Sequence, residues 1–265
     1  MPFVRMQTLG NLASYKAYVL PMARNRFGYH SEKSKYQENV QTLLHTLFTH
    51  GTCTTWDIAK TKYYQTSKIR NQDKILRRLL VGRSDRGRYS GGLIDSGLVV
   101  GRKAKPFFRY RLTLYGILYC LDALNPTKKD QDTMAENYSF LLPRVFGDWK
   151  KKKKILREDA YNLRVLSQGI LLNNIQFARP DSPLYELMMY LHVKYSKNFE
   201  TISESDLSEQ TSYWFYTFLL YSAPKKLSKT LSSDGDLFRW YESFFKEAQS
   251  YYAQRLRSIK NSSII

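Results

Sequence analysis

Residues 66–81 read TSKIRNQDKILRRLLV, and the two sides of this segment differ in character. At roughly 100° per residue, an apolar stripe with one glutamine forms on one side of a helix: Ile69, Gln72, Ile75, Leu76, Leu79 and Leu80. Polar and basic side chains form the other side: Ser67, Arg70, Asn71, Lys74, Arg77 and Arg78. Because the apolar stripe packs on a body of protein, the basic side is left to meet solvent or an anion. The pattern predicts a helix over Ser67–Val81 that suits the major groove of DNA.

Shorter patterns on both sides of this helix predict the elements that pack with it. Upstream, residues 36–49 place apolar side chains three and four apart, and TTWDIAKTKY (54–63) opens with capping-type threonines, so both segments are predicted to be helices. Downstream, GLVV (97–100) and PFFRYRLT (106–113) are apolar strands joined by GRKAK, which predicts a β-hairpin with a basic tip. Residues 114–124 predict a further helix.

The run GLVVGRKAKPFFRYRLTLYGILYCL (97–121) resembles the strand–wing–strand–helix ending of winged-helix DNA-binding domains of transcriptional regulators. The resemblance covers residues 37–125. It implies a winged helix-turn-helix domain, in which three helices are followed by a β-hairpin wing. Ser67–Val81 would then be the recognition helix and Arg102–Lys105 the wing.

Twelve residues are the candidates for contact with DNA. Arginine pairs bidentately with guanine and asparagine with adenine, which favours base reading by four of them: Arg70, Asn71, Lys74 and Arg78. Phosphate contact is the better match for one helix residue and three loop arginines: Arg77, Arg83, Arg86 and Arg88. The first turn of the helix and the hairpin tip supply the rest: Ser67, Arg102, Lys103 and Lys105. The alternative is that these side chains only keep an exposed surface soluble and bind no nucleic acid.

One segment departs from the winged-helix pattern. There the recognition helix runs almost directly into the "GLV" strand, whereas here VGRSDRGRYSGGLIDS (81–96) intervenes. Two interpretations stay open. The segment is either a basic loop inserted after the recognition helix, or it contains the true recognition helix near Tyr89–Ser96.

The charge distribution indicates a polyanionic partner. The chain of 265 residues has a formal net charge of +19. Residues 37–125 carry fifteen Lys and Arg residues against six Asp and Glu residues, and residues 1–36 carry six against one. A basic surface of this kind attracts nucleic acid at long range. We therefore expect a basic arm over residues 1–36 and a DNA-binding domain over residues 37–125.

The remaining residues, 126–265, predict an all-helical domain. The polar stretch TKKDQDT (127–133) is the expected linker, and Asp148 is the expected cap of a long helix. Lys150–Lys154 predict either a second phosphate-binding patch, a targeting signal or a solvated helix start. The last helix carries an aromatic-rich stripe at coiled-coil-like spacing, which favours a homodimer through the C-terminal helices: Leu237, Tyr241, Phe244, Ala248 and Tyr251.

Other classes of site find little support in the sequence. Two cysteines, Cys53 and Cys120, form neither a disulfide framework nor a zinc knuckle, which predicts reduced thiols and a cytoplasmic protein. His45, His50 and Cys53 are too few for a metal site, and no nucleotide-binding or hydrolase motif is present. No run of eighteen apolar residues predicts a membrane span. We therefore expect no cofactor, no metal, no membrane contact and no enzymatic activity.

The sequence thus predicts a mainly α protein that regulates transcription by binding duplex DNA in a sequence-specific manner. A winged-helix interaction module of a polymerase or replication complex is the first alternative. An RNA-binding protein is the second.

Overall fold

The computed structural model describes residues 31–85, 88–104, 106–124, 126–155, 163–171, 183–196 and 202–262. These residues form twelve helices and two antiparallel sheets of two strands each. The prediction of a mainly α chain with a small antiparallel hairpin is confirmed. Of the predicted basic arm, residues 1–30 lie outside the described residues, and residues 31–36 open the first helix.

Three helices open the described chain: α1 (Ser31–His50), α2 (Thr55–Lys62) and α3 (Thr66–Val81). Gly51, with φ of 72°, ends α1 by taking the left-handed conformation that glycine tolerates. The side chain of Thr54 and that of Asp57 each accept a backbone hydrogen bond from the other residue, which caps α2. The helix α3 begins one residue before the predicted start and ends at the predicted residue.

The insertion after α3 is a hairpin of its own, made of β1 (Gly82–Asp85) and β2 (Arg88–Gly91). Gly82 and Gly91 are paired at its base. A Cβ atom on Gly92 would lie 2.2 Å from the carbonyl oxygen of Leu80, so only glycine fits where the chain returns to α3. Because residues 89–91 are strand and residues 93–97 are a turn, the alternative recognition helix at Tyr89–Ser96 is wrong.

The predicted basic hairpin is formed by β3 (Val99–Ala104) and β4 (Phe107–Leu112). The backbone of Cys53, between α1 and α2, exchanges two hydrogen bonds with Tyr110 at 3.0 and 2.8 Å. Gly101 stands opposite Tyr110, and a Cβ atom there would meet the tyrosine ring at 3.0 Å. The hairpin is therefore fixed at its base to the helical unit, while its far end projects.

The rest of the described chain is helical, in nine further helices: α4 (Leu114–Ala123), α5 (Lys128–Asn137), α6 (Pro143–Phe146), α7 (Trp149–Lys152), α8 (Leu163–Leu171), α9 (Pro183–Ser196), α10 (Glu204–Ser222), α11 (Pro224–Ser233) and α12 (Gly235–Ser262). Two local predictions are wrong. The expected linker at 127–133 is the start of α5, because Thr127 and Asp130 form a capping box. Asp148 makes no side-chain capping bond, and its φ of 52° marks a sharp turn before the single-turn α7.

The apolar core runs without interruption from α1 to α12. Tyr138, which follows α5, is fully buried and bonds through its hydroxyl to backbone groups of α1 and β4. In α8, Gly169 lies against α10, where a Cβ atom would come within 2.0 Å of the Trp214 ring. The division of the chain at residues 125 and 126 stays a prediction, and the two parts share this core.

The stripe of α12 that favoured a dimer seam faces the protein's own core. Leu237, Tyr241, Phe244 and Ala248 are buried in the single chain. Tyr213 of α10 stacks on Phe244, with ring centroids 4.3 Å apart, and Tyr190 of α9 packs on the same ring. This stripe is therefore not available to a second copy, and the homodimer stays a prediction without it.

Candidate nucleic-acid interface

The outer side of α3 presents all the polar residues that the sequence analysis placed there. These side chains are exposed: Ser67, Arg70, Asn71, Lys74, Arg77 and Arg78. The inner side differs from the prediction at two positions, because Asp73 is buried whereas Ile75 is 39 % exposed. Asp73 can lie on the inner side of the helix because its carboxylate has polar partners there.

These partners form a polar chain linking α2 to α3. The Thr55 hydroxyl donates to one carboxylate oxygen of Asp73 at 2.5 Å, and the Nε atom of Arg77 lies 3.0 Å from the other oxygen. The Asp73 side chain is only 10 % exposed, and these partners supply the polar contacts that its burial requires. Arg77 was predicted as a phosphate contact, but its Nε atom is engaged by Asp73 inside the protein.

Three other basic side chains of α3 lack such an ion pair with any described carboxylate. Among the side chains that the structure describes, no carboxylate lies within 4.0 Å of Arg70, Lys74 or Arg78. On the helical wheel, Lys74 and Arg78 point directly away from the core, with Ser67 and Asn71 beside them. Arg70 lies on the same edge as Arg77, two turns or about 10 Å earlier along the axis. The result is an unbalanced positive surface on one helix.

The β3–β4 hairpin adds cations to this surface, and one of them was missed. Arg102 and Lys103 are exposed, as predicted. Arg109 stands directly opposite Arg102 in the hairpin register and is also exposed. Two arginines in this position repel each other, which an anion between them would relieve. The alternation of a β-strand was the signal that could have identified Arg109.

Arg111 is the next arginine on this strand face but has a structural role. Its guanidinium makes two hydrogen bonds to the Glu204 carboxylate, at 3.3 and 3.2 Å, and lies 5.3 Å from the centre of the Phe140 ring. It therefore joins β4 to the C-terminal helices, and its charge is neutralised within the protein.

A small cleft joins α3 to the hairpin. Its volume is about 170 Å³, and Arg77 of α3 forms one side of it. The other walls come from β4 and the start of α2: Pro106, Phe107, Phe108, Tyr110, Thr54, Thr55 and Trp56. Phe107 and Phe108 are 61 % and 52 % exposed, which is unusual for two neighbouring phenylalanines. The cationic face of α3 and the aromatic end of the hairpin are thus neighbours.

Asp57, at the start of α2, is an acidic group near the hairpin, because its carboxylate feels the charge of Arg109. The hydrogen bond from the Thr54 hydroxyl, at 2.6 Å, is the main cause that holds the pKa of Asp57 below its ordinary value, and the charges of Lys60 and Arg109 act in the same direction. The carboxylate is therefore ionised at neutral pH, where it limits the positive potential beside the hairpin base.

Four of the twelve predicted residues cannot be placed as side chains. Arg83 lies in β1 and Arg88 in β2, at positions where the structure describes only the backbone. Arg86 and Lys105 lie outside the described residues. The remaining eight are all exposed, six of them on α3 and two on the hairpin.

The described residues also bear on other kinds of site. There, no group of three or more His, Cys, Asp or Glu side chains is placed to hold a metal ion. Cys53 and Cys120 are free thiols, and burial raises the pKa of both. In the same residues, none of the helices has the length and apolar character needed to cross a bilayer.

The surface made by α3 and the β3–β4 hairpin is the candidate site. It combines unpaired cations, exposed aromatic rings and a shared cleft. Its interpretation rests on these charges and contacts, because comparisons with protein-family models, with curated proteins and with solved structures found no match to this chain.

Proposed function

We propose that this protein is a winged-helix transcriptional regulator that binds duplex DNA through α3 and the β3–β4 hairpin. The observation that carries the proposal is the cleft in which Arg77 of α3 meets the exposed Phe107 and Phe108 of the hairpin. Lys74 and Arg78 on α3, and Arg102 and Arg109 on the hairpin, lack a carboxylate within 4.0 Å among the described side chains.

The order of elements supports the winged-helix part of the proposal. Three helices precede the β3–β4 hairpin, and an isolated backbone bridge joins Cys53, between the first two helices, to Tyr110 of β4. Helix-turn-helix proteins of this kind place the third helix in the major groove and the wing along the backbone or minor groove. The insertion between α3 and β3 does not disturb this order, because it leaves and re-enters the domain at Gly82 and Gly92.

Within this proposal the residues divide into two roles. Asn71, Lys74 and Arg78 point away from the core and face the bases, with Arg70 at the edge nearest the hairpin. Arg102, Lys103 and Arg109 contact phosphates or the minor groove, which gives affinity rather than sequence preference. Phe107 and Phe108 pack on the sugar edge or on bases beside the groove. Arg77 pairs with Asp73, which in turn accepts the hydrogen bond from Thr55 of α2.

Salt dependence of DNA binding by the full chain tests the proposal. Each lysine or arginine that neutralises a phosphate releases counterions, so affinity should fall steeply as salt rises. The variant with Lys74→Gln and Arg78→Gln should bind duplex DNA at least tenfold more weakly, with a shallower salt slope. The matched control, Arg255→Gln with Arg257→Gln, removes two exposed charges from α12 and should bind like the parent.

The rival functions predict different results. A protein-interaction module is favoured by the exposed Phe107 and Phe108, and its contacts would change little with salt. An RNA-binding protein would prefer structured RNA in competition with duplex DNA. Equal DNA affinity in the α3 variant and its control would refute the proposal, and selection from random duplexes would reveal the preferred sequence.

A further inference from the structure

A second basic surface lies in the C-terminal half. Its lysines come from two segments about seventy residues apart, residues 150–154 and the first half of α11. The Nζ atom of Lys226 donates to the backbone carbonyl of Lys154 at 3.3 Å, and that of Lys152 donates to the carbonyl of Arg144. We call the following set the lysine surface: Arg144, Lys150, Lys151, Lys152, Lys153, Lys154, Lys225, Lys226 and Lys229.

Neighbouring carboxylates neutralise only part of this charge. Asp132 lies 2.7 Å from Lys153, and Asp148 lies 4.0 Å from Lys151. Asp148 and Asp234 also lie near Lys152, where burial is the main cause that lowers the pKa of the amine. Among the described side chains, three carboxylates therefore lie beside nine basic groups. Among the described side chains, none lies within 4.0 Å of four exposed lysines: Lys150, Lys154, Lys225 and Lys229.

The lysines of α11 share one side of their helix. Leu227 is fully buried, and the wheel places Lys225, Lys226 and Lys229 on the side away from it. Folding thus gathers like charges that the sequence keeps apart, at a cost in repulsion. A surface that keeps this arrangement is suited to a polyanion.

The lysine surface is separate from the α3 site. The helix α3 packs on α1, α1 packs on α5, and α5 packs on α7. In this series of contacts, α1 and α5 lie between α3 and α7. The exposed side of α3 faces away from α1, and therefore away from the layers that lead to α7. We therefore expect that a straight duplex lying on α3 does not extend to the lysine surface.

We propose that the lysine surface binds the phosphate backbone of a second DNA duplex, so that one copy of the chain bridges two duplexes. The bridging rests on the proposed function of α3. Lysine ammonium groups act as point charges without the planar geometry that reads bases, so this second contact is independent of sequence. It should also be the more salt-sensitive of the two contacts, because it consists of charges alone.

Capture of one duplex by another tests this proposal with the full chain. A biotinylated 30-bp duplex is immobilised and loaded with protein, and retention of a second, fluorescent duplex is measured at low and moderate salt. The parent should retain the second duplex. Changing Lys154→Gln, Lys225→Gln and Lys229→Gln should reduce retention at least fivefold while binding to a single duplex falls by less than threefold.

A control with the same loss of charge separates this effect from net charge. The changes Lys246→Gln, Arg255→Gln and Arg257→Gln remove three exposed cations from α12 and should leave retention unchanged. Size-exclusion chromatography with light scattering shows whether one copy or two hold the duplexes. Bridging by a dimer whose retention is insensitive to the lysine changes would overturn the proposal.

Failure of the two proposals can be told apart. If α3 does not bind DNA, the α3 variant will bind a single duplex as the parent does. If only the lysine surface is misassigned, the α3 variant will lose binding while the lysine variant keeps full retention. Binding of anionic phospholipid vesicles, lost in the lysine variant without any DNA effect, would assign this surface to a membrane instead and contradict the proposal.

Discussion

Arg77 places its Nε atom 3.0 Å from the carboxylate of Asp73, one helical turn earlier on α3. The pair stands at the boundary between the buried and the exposed side of the helix, because Asp73 is 10 % exposed and Arg77 is 61 % exposed. An arginine on the helix that we propose to face DNA is therefore also a structural residue.

We predict that Arg77→Gln lowers the stability of the protein. The change removes the charge that faces a buried carboxylate, but solvent already screens the exposed guanidinium, so the loss should be about 1 kcal/mol. For a chain of this size it corresponds to a decrease in melting temperature of about 2–4 °C. The neighbouring change Arg78→Gln removes the same charge without a buried partner. An equal decrease in both variants would contradict the structural role.

Tyr138→Phe should destabilise the contact between the two halves of the chain. The hydroxyl donates to the Leu47 carbonyl at 2.8 Å and accepts from the Leu112 N–H at 3.1 Å, in a fully buried position. Without it, the Leu112 N–H lacks a partner, which costs about 1–3 kcal/mol. Urea denaturation measures the difference. The control Tyr64→Phe alters a tyrosine that is 97 % exposed and should change nothing.

The double change Arg102→Gln and Arg109→Gln should weaken binding to all duplexes by a similar factor. The two arginines face each other across the hairpin and are proposed to hold phosphate, so the slope of affinity against salt should fall by about two. Fluorescence anisotropy on specific and random duplexes measures both quantities. Loss of sequence preference with unchanged non-specific affinity would make the hairpin the reader instead.

Arg111→Gln is the matched comparison on the same strand. Its charge is already neutralised by Glu204, and its guanidinium packs on Phe140. We expect DNA affinity within about twofold of the parent and a lower melting temperature, because the change affects the contact between β4 and α10. A strong loss of DNA binding in folded protein would show that the Glu204 pair opens on binding.

Arg70→Ala should affect sequence preference more than overall affinity. If α3 lies in the major groove, the change should cost about 1–3 kcal/mol on the preferred site and less on random DNA. Lys68→Ala is the comparison, since Lys68 is exposed on the edge of α3 away from the hairpin. Equal effects of both changes on both kinds of duplex would remove α3 from the role of base reader.

The sequence predicted the helices and the basic hairpin because their periodicities are local. The 3.6-residue period located α3 to within one residue, and the two-residue period of PFFRYRLT located β4. The burial of Asp73 and the exposure of Ile75 could not be predicted from this periodicity. Asp73 is buried because Thr55 donates a hydrogen bond to its carboxylate and Arg77 forms an ion pair with it. Neither contact can be recognised from the pattern of apolar residues.

Two patterns in the C-terminal half were misinterpreted, each for its own physical reason. The segment TKKDQDT was predicted as a linker from its polarity, yet the spacing of Thr127 and Asp130 is that of a capping box, which begins a helix. The stripe of α12 was correctly identified as an apolar face. The spacing of its apolar residues predicts that this face is buried, but it does not identify the element that buries it. Its partners, Tyr190 and Tyr213, lie on other helices.

The base of the β1–β2 hairpin makes its length independent of the rest of the fold. Gly82 and Gly91 are paired, and Leu93 and Ile94 donate backbone hydrogen bonds to Leu79 and Leu80, so the chain departs and returns at one point. Adding or deleting residues in opposing pairs beyond that point alters reach without moving α3 or β3. The β1–β2 hairpin can thus be lengthened, shortened or exchanged, by evolution or by design, while α3 and the β3–β4 hairpin keep their geometry.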